Sequence, residues 1–426
     1  MTRLVIVVRA DPVICGHAGE ARNLAEAALD RGFTEVRILS WQVDRLQECG
    51  LPLKPLDLVL PYRDGVVVER PEPVGDYRVP DGRHLAGLTG RLVELFTDGV
   101  PTVAMSLYLS PHATAVADAV RVARDTGLPV DVRTVAEAVG SDVTNVVRQC
   151  VAEGRFGAAA HVLSTYLAHD VCLAVSQYTR DLVVAEAEQV DARHGTGFAE
   201  RCRARVHVSY PAIDTSAYLD LDRAEGDRWL ASRGLERGRY VLYLSRLAAA
   251  KGVDDLIAAY AASRAAGEVP LVVAGTGPQA AELRAQAAAS TASGRIVFLD
   301  DVGDEEKPHL MSGCAAYALP SKPRPEFVET FGIALVENML AGGGPVVTTA
   351  TGGIPEAVGP HALTVPAGDR AALATALDRA VLMTPERRAA WVDGAREHAR
   401  RFDRVQVLDG ILDLLDRSNK NVLVGC

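Results

Sequence analysis

The chain has 426 residues, 48% of them hydrophobic and 23% charged, a composition typical of a protein that folds into two or three packed domains. Its formal net charge is −10, and its basic residues are spread along the sequence rather than clustered. These features argue against nucleic acid or an anionic membrane as the main partner and favour a small molecule.

The cysteines and the apolar runs bear on where in the cell the protein is found. The seven cysteines are scattered without any C-x-x-C arrangement, so neither a disulfide framework nor a zinc site is predicted. The opening residues, MTRLVIVVRADPV, contain a short apolar run without the extended hydrophobic region of a signal peptide. No apolar run reaches the ~18 residues that a membrane span needs. We therefore expect a cytoplasmic protein that is neither secreted nor embedded in a membrane.

The first half of the chain predicts alternating strands and helices. A β-branched run over residues 4–8 leads into the loop DPVICGHAGE and then into a helix over residues 21–28. The further elements predicted here are strands over residues 36–38, 102–105 and 130–132 and a helix over residues 113–123. This alternation predicts a parallel sheet that is covered by helices on both faces.

The same alternation restarts in the second half. The elements predicted there are strands over residues 240–244, 271–274, 296–299, 315–319 and 346–349 and a helix over residues 254–262. We therefore predict two doubly wound, Rossmann-like domains, over residues 1–210 and 239–400, joined by a linker over residues 211–238. A C-terminal helix and tail over residues 401–426 are expected to pack on the N-terminal domain. Ligands of such sheets bind beyond the carboxyl ends of the strands, so we expect the site in the cleft between the domains.

The stretch PEFVETFGIALVENMLAGGGPVV, residues 325–347, places two glutamates around the start of a predicted helix over residues 332–340. Glu329 precedes the helix and Glu337 lies within it. The first amides of the helix, which include those of Gly332 and Ile333, lack intrahelical acceptors and suit a phosphate. A helix cap and a solvated side chain are the alternative interpretation of the two glutamates. The apolar neighbours of Glu337 argue against it, because a carboxylate among them needs a hydrogen-bonding partner.

These residues carry a resemblance to a known family. The segment ETFGIALVE resembles the E-x7-E motif of family 4 glycosyltransferases, which are retaining enzymes of the two-domain GT-B fold, and the segments LPS, AGGGPVVTT and TGGIPEAVG are similar to that family as well. The resemblance implies that Glu329 contacts the donor sugar and that Glu337 binds the nucleotide ribose. It also places Thr330, Phe331, Gly332 and Ile333 at the nucleotide.

Other motifs of the second half extend the resemblance. YLSRLAAAKGVDDLI resembles the Arg-x4-Lys element of the family, which implies that Arg246 and Lys251 neutralise the donor diphosphate. A solvated helix start is the alternative for these two cations. VVAGTGP resembles the family's V-x-G-x-G-P turn and contributes Gly275, and IVFLDDV resembles the strand and loop whose backbone meets the base, here at Val302.

The first half resembles the family only in outline. The resemblance implies that Gly16 and Gly19 let the first loop approach the diphosphate. The neighbouring His17, Glu20, Arg22 and Asn23 are candidate acceptor contacts, and an ordinary polar helix start is the alternative.

The catalytic residue on the acceptor side has two candidates. Many family members carry a histidine where this chain has Ala136 in RTVAEAVGSD, so either the adjacent Glu137 or His112 of SLYLSPHATA is the candidate for its role. A cap or a surface residue is the alternative interpretation of His112.

The resemblance implies a retaining, metal-independent transferase that requires no cofactor and uses a UDP-sugar or a GDP-sugar as donor. Asp220 and Asp222 have the D-x-D spacing of metal-dependent transferases, but we interpret this spacing as a coincidence in the linker. The predicted acceptor is a small polar molecule of bacterial secondary metabolism, above all an aminocyclitol of the aminoglycoside type, to which Glu20 and Glu137 would be suited.

Several alternatives stay open. A lincosamide-type transfer from a GDP-sugar to a small thiol and a mycothiol-type transfer to inositol phosphate are alternative reactions. A nucleotide-sugar epimerase and a non-catalytic sugar-binding relative are alternatives from other classes. The sequence also leaves open whether the protein is a homodimer.

Overall fold

The protein is described by a computed structural model that covers residues 2–76, 78, 80–325 and 327–424, of which residues 144 and 419–424 have no described side chain. The chain divides into two compact units. The first contains the residues up to Ala212 and those from Arg404 onward, and the second is Ile213–Asp403.

The first unit is built on a seven-stranded parallel sheet. Its strands are β1 Arg3–Val7, β2 Glu35–Leu39, β3 Val66–Glu69, β4 Thr102–Leu107, β5 Val132–Ala138, β6 Val171–Ala174 and β7 Val206–Val208. Its first eight helices are α1 Gly16–Asp30, α2 Val43–Glu48, α3 Pro80–Thr97, α4 Thr114–Asp125, α5 Gln149–Ala152, α6 Phe156–Leu167, α7 Gln177–His194 and α8 Phe198–Arg205. The strand order is β3-β2-β1-β4-β5-β6-β7, and all pairs are parallel.

The second unit repeats this plan with six parallel strands. They are β8 Val241–Leu244, β9 Leu271–Ala274, β10 Ile296–Leu299, β11 Ala316–Leu319, β12 Val346–Thr349 and β13 Ala362–Val365, in the order β10-β9-β8-β11-β12-β13. Its helices are α9 Ser216–Leu219, α10 Arg223–Ser232, α11 Val253–Ala262, α12 Ala265–Glu268, α13 Ala280–Ala289, α14 Glu306–Gly313, α15 Ile333–Ala341, α16 Ile354–Val358, α17 Arg370–Val381 and α18 Pro385–Ala399. The last helix, α19 Arg404–Val424, belongs to the first unit.

Alternation of side chains along the strands gives the first sheet a core on each face. Leu4 and Ile6 of β1 are buried in the same cluster as residues of α1 and α19, whereas Val5 and Val7 are buried in a cluster with residues of α3 and α4. Both faces are apolar, as expected for a parallel sheet with helices on either side.

Two elements differ from the prediction in ways that concern the candidate site. Helix α1 begins at Gly16 rather than at residue 21, because the chain turns into the helix directly after the extended Cys15. Strand β5 runs from Val132 to Ala138 rather than over residues 130–132. Glu137 therefore lies within a strand, in register with Leu107 and Leu173, rather than in a loop after it.

The segment interpreted above as a linker is folded. It contains α9 and α10, and α10 packs on α14 of the second unit. A short 3-10 turn, Arg400–Phe402, separates α18 from α19. Leu408, Ile411 and Leu415 of α19 are buried in the core of the first unit.

Candidate functional site

Lys251 and Glu329 form a buried ion pair in the second unit. Lys251 ends a short 3-10 turn after β8, and Glu329 lies in the loop that follows β11. These strands are parallel neighbours in the sheet, so their carboxyl ends lie side by side. The Lys251 ammonium donates to Glu329 Oε2, and the two side chains are only 12% and 10% exposed. The structure thus brings together two residues that are 78 positions apart in sequence.

The glycines of the predicted motifs hold the backbone beside this pair. Gly352 has φ +58°, and a Cβ atom there would lie 2.0 Å from the carbonyl oxygen of Glu329. The amide of the next residue, Gly353, donates to that same oxygen at 3.0 Å. Close packing of the Glu329 loop therefore requires glycine at position 352, since any side chain there would push the loop away.

The start of α15 lies in the same loop region. Gly332 caps this nine-residue helix with φ +100°, which a residue with a side chain rarely adopts. The Phe331 ring is buried against Phe402, with the ring centroids 5.0 Å apart. The first two amides of α15 have no acceptor within the helix, whereas the amide of Leu335 donates to the Gly332 carbonyl at 2.9 Å. With the half-exposed Thr330 before them, they form a local positive end that suits an anion.

Glu337, on α15, makes two hydrogen bonds through one of its oxygen atoms. Tyr218 on α9 donates its hydroxyl to Glu337 Oε1 at 2.7 Å, and the Lys307 ammonium on α14 contacts the same oxygen at 2.6 Å. The Glu337 side chain is 12% exposed. Among the described residues, none hydrogen-bonds to Glu337 Oε2. Burial and the Glu337 charge raise the pKa of Tyr218 well above its ordinary value, so its hydroxyl stays a donor.

The remaining predicted donor residues lie at the carboxyl ends of β8, β9 and β10. The exposed Arg246 forms no ion pair with a residue that the structure describes, and its carbonyl accepts a hydrogen bond from Tyr243 at 2.8 Å. Gly275 donates to the Leu299 carbonyl at 2.9 Å. Val302 is half-buried in the loop between β10 and α14. All three are loop residues near the strand ends, where parallel sheets bind ligands.

The D-x-D spacing has a structural explanation. Asp222 is the N-cap of α10, and its Oδ1 accepts from the amides of Ala224 at 2.7 Å and Glu225 at 3.3 Å. Within the described part of the chain, no group of three or more His, Cys, Asp or Glu side chains is arranged to hold a metal ion.

In the first unit, Gly16 is the first residue of α1 and is exposed, and Gly19 lies one turn further along. Both lie in the helix, so their predicted placement in a loop is wrong, whereas the approach of this backbone to the diphosphate stays a prediction. His17, in the first turn, is half-buried, and burial together with the Arg9 charge lowers its pKa to about 4.

Two of the candidate acceptor contacts are engaged in structural bonds. Arg22 pairs with Asp11 at 2.9 Å and lies over the Tyr62 ring at 3.7 Å from its centroid. Asn23 donates to the carbonyl of Ala212 at 2.9 Å. An ordinary structural role therefore accounts for both side chains.

Two buried acids lie on the α1 face of the first sheet. Val135 of β5 packs in the same cluster as α1, so Glu137, two residues further along the strand, projects toward that face. Glu137 is 1% exposed, and its Oε2 accepts no hydrogen bond from a described residue. Burial and the nearby Glu20 and Asp142 raise its pKa well above the ordinary value. Glu20, 2% exposed, accepts from the Ala212 amide at 3.3 Å, and burial raises its pKa to about 7.

His112 is a buried neutral imidazole at the carboxyl end of β4. It lies in a π-helical turn, Leu109–Ala113, with its ring centroid 4.7 Å from that of Trp41 and 5.6 Å from that of Tyr108. Both ring nitrogen atoms lack a hydrogen-bond partner among the described residues. Burial, with the charges of Arg9 and His17, lowers its pKa well below the ordinary value.

Sequence reasoning did not single out Tyr218, Lys307 or Arg9. Lys307 is one of only five lysines in the chain, and this scarcity was the available signal. Arg9 follows β1, its guanidinium lies 5.1 Å from the Tyr108 ring centroid, and no described residue forms an ion pair with it. Nothing local in the sequence indicates that Tyr218 meets Glu337 across 119 residues.

Comparison with known proteins identifies relatives of the segment that contains these residues. Residues 227–398 match the family described as "Glycosyl transferases group 1". The second unit carries the pattern of this family. The matched range contains Arg246, Lys251, Glu329 and Glu337, and it covers less than half of the chain.

Curated relatives match over part of their length. A GDP-mannose-dependent alpha-(1-6)-phosphatidylinositol monomannoside mannosyltransferase of Mycolicibacterium smegmatis is 30% identical over 54% of this chain and 57% of its own. A D-inositol 3-phosphate glycosyltransferase of Saccharomonospora viridis is 35% identical over 28% of this chain and 26% of its own. A 2-deoxystreptamine glucosyltransferase of Streptomyces kanamyceticus is 33% identical over 35% of this chain and 36% of its own. The matched part thus spans between about a quarter and somewhat more than half of each relative.

A solved structure matches over nearly the whole chain. The crystal structure of Anabaena Alr3699/HepE in complex with UDP and glucose has a TM-score of 0.69 and 19% identity, over 98% of this chain and 100% of that one. At this identity the likeness shows the fold, which is GT-B, with one parallel sheet in each unit as predicted. Among the described residues, no helix is long and apolar enough to cross a membrane.

Proposed function

We propose that this protein is a glycosyltransferase that moves a sugar from a nucleoside diphosphate sugar to a small polar acceptor. The observation that carries the proposal is the Lys251–Glu329 pair in the loops after β8 and β11, before the start of α15, with Arg246 exposed just after β8. Cations and helix amides stabilise the charge that develops on a leaving diphosphate. The family match over residues 227–398 supports the same activity.

Each donor group has a role in this proposal. The diphosphate is bound by Arg246, Lys251 and the first amides of α15. Lys251 can take part although it is paired, because its ammonium has three donors and Glu329 accepts only one of them. Glu329 keeps acceptor capacity for a sugar hydroxyl. Glu337 binds the ribose through Oε2, which is unengaged among the described residues. The backbone at Gly275 and Val302 approaches the nucleotide.

The proposed transfer retains the configuration of the sugar. Its catalytic groups on the donor side are cations and helix amides, and Glu329 is already paired with Lys251. We therefore assign no covalent nucleophile, and the leaving phosphate takes the acceptor proton. The proposed transfer is metal-independent, and the role of Asp222 as the N-cap of α10 supports this, because it accounts for that carboxylate of the D-x-D spacing.

The proposed acceptor carries an amine, as an aminocyclitol does. Glu20 and Glu137 are buried on one face of the first sheet, and no cation pairs with either among the described residues. An ammonium group would supply the missing countercharge. Similarity to a 2-deoxystreptamine glucosyltransferase supports this class, and we place the reaction in secondary metabolism on that basis. Glu137 and His112 stay the candidates for the catalytic residue on the acceptor side.

A second acceptor class is favoured by one specific observation. Arg9 is half-buried and lacks an ion pair among the described residues, so it could take a phosphate on the acceptor, and a D-inositol 3-phosphate glycosyltransferase is among the relatives. The engagement of Arg22 by Asp11 argues against this class, because a phosphate benefits from several cations.

The first experiment is calorimetric titration of the purified protein with UDP and with GDP, each with and without EDTA. Binding of one nucleotide that is insensitive to EDTA supports the donor site and identifies the base. Binding of neither nucleotide overturns the proposed function. The matching nucleotide sugars are then tested with 2-deoxystreptamine and with inositol 3-phosphate, and transfer to the second alone rejects the amine acceptor.

A further inference from the structure

We propose that Tyr218 and Lys307 are positioning residues that hold the Glu337 carboxylate so that its second oxygen recognises the ribose of a nucleoside diphosphate. The inference rests on the proposed function, and it names two residues that neither the motifs nor the resemblance assign. They come from separate elements, α9 and α14, and meet Glu337 on α15.

The geometry separates the two carboxylate oxygens. Both donors contact Oε1, at 2.7 Å from Tyr218 and 2.6 Å from Lys307. No described residue hydrogen-bonds to Oε2. Two donors converging on one oxygen fix the rotation of the carboxylate, and one of the two donors carries a positive charge. The result is a single acceptor oxygen with a defined direction.

The two donors also support one another. The Lys307 ammonium lies 5.6 Å from the centroid of the Tyr218 ring, within the range of a cation–π interaction. Tyr218 is 5% exposed, so its ring can hardly change position. Glu337 is therefore held from two sides by groups whose own positions are restricted, which is how a recognition carboxylate is preorganised.

The chemical consequence is preference for ribose over deoxyribose. An ionised acceptor of fixed direction gains a charge-assisted hydrogen bond from a ribose hydroxyl, and a deoxynucleotide leaves it unpaired. A carboxylate free to rotate would turn toward solvent and lose most of this preference. The inferred role of Tyr218 and Lys307 can therefore be measured as the ratio of the Kd values for the deoxynucleotide and the ribonucleotide, and not only as the Kd for one of them.

The test measures Kd for UDP and GDP and for their 2′-deoxy and 3′-deoxy forms in the full-length protein. In the wild type we expect at least one deoxy form of the bound nucleotide to bind about tenfold or more weakly than the ribonucleotide. Glu337→Gln should reduce this ratio to near one. Tyr218→Phe and Lys307→Met should each reduce it about fivefold while Kd for the deoxy form stays nearly constant. Lys307→Arg should restore part of the ratio.

Matched controls separate positioning from stability. Tyr260→Phe removes another buried tyrosine hydroxyl, which donates to the Val269 carbonyl at 2.8 Å, and Arg284→Met removes the Arg284–Asp300 ion pair at the surface. Both should leave the discrimination ratio unchanged even where thermal stability falls. Thermal unfolding of every variant reports whether the fold is kept.

The outcomes distinguish this inference from the proposed function. If the wild type binds neither UDP nor GDP, the proposed function fails. If the wild type discriminates and Glu337→Gln abolishes the effect, but Tyr218→Phe and Lys307→Met retain the full ratio, the donor site stands and the positioning role is overturned. If Tyr218→Phe or Lys307→Met unfolds, Tyr218→Leu and Lys307→Leu, which also remove the two donors, are measured, and a full ratio in both overturns the positioning role.

Discussion

The two units differ in whether their buried acidic side chains are paired with cations. In the second unit, the acids are matched with cations: Glu329 with Lys251 and Glu337 with Lys307. In the first unit, Glu20 and Glu137 are buried on one face without a cation among the described residues, and His112 is buried with both ring nitrogens unpaired. Paired charges suit a site for a ligand that is itself charged and must be oriented, whereas unpaired acids need a ligand or a proton to complete them.

The largest expected effect comes from breaking the pair in the second unit. Lys251→Met removes the proposed diphosphate contact and leaves Glu329 buried without its cation, so turnover should fall about 100-fold and stability by about 3 kcal/mol. Glycosyl transfer assays and urea unfolding measure the two quantities.

The double variant Lys251→Met/Glu329→Gln sharpens this prediction. It should recover part of the stability but none of the turnover, because the uncompensated charge is gone while the diphosphate contact stays absent. Arg284→Met is the control and should leave turnover within about twofold of wild type, as exposed pairs contribute little. Turnover near that of the wild type in Lys251→Met would contradict the diphosphate role.

A second prediction concerns the unpaired acids and pH. The folded pKa of Glu20 is about 7, above that of an unfolded glutamate, so the folded state holds more protons and its stability falls as pH rises toward 7. Glu20→Gln should therefore flatten the loss of stability between pH 5 and 8 and stabilise the protein at pH 8 by about 2 kcal/mol. Urea unfolding across this pH range measures the effect.

Glu69 is the matched control in the same unit. Burial raises its pKa, but hydrogen bonds from Arg91 and Arg37 outweigh burial and lower it overall. Its stabilisation is present above the pKa of an unfolded glutamate and is lost as pH falls through the folded value, so Glu69→Gln should destabilise the protein at pH 8. If both variants shift stability in the same direction, the contrast between paired and unpaired acids is wrong.

The smallest expected effect tests the D-x-D spacing. Asp222→Ala removes an N-cap from α10 and should lower the thermal midpoint by a few degrees at most. Turnover and its response to EDTA should equal those of the wild type. A loss of turnover in Asp222→Ala that added Mn²⁺ reverses would instead assign the acid to a metal.

Much of the second unit could be predicted from local sequence. Strands β9, β10 and β12 have the predicted bounds, and α15 differs by one residue at each end. Short β-branched runs, glycine turns and a helix start carry this information locally. The placement of Glu329 in the loop and Glu337 in the helix was predicted correctly for the same reason.

The first unit was harder, because its departures are set by packing. Strand β5 continues through Glu137 since β4 and β6 pair with it on both sides, and a charged residue at the end of a strand is not a local strand signal. Helix α1 includes Gly16 and Gly19, which helix propensity disfavours, because the helix packs on the sheet through residues further along, such as Ala21 and Leu24.

The sequence by itself determined the alternating architecture and the positions of Glu329 before α15 and Glu337 within it, because periodicity and glycine punctuation are local properties of the chain. Only the tertiary structure decided which charges are paired. Lys251 meets Glu329 across 78 residues, Tyr218 meets Glu337 across 119, and Glu20 shares a sheet face with Glu137. The physical reason is that the pairing and the pKa of a charged side chain depend on its burial and on its distance from other charges. The order of strands in the sheet fixes both, and neither can be read from the sequence.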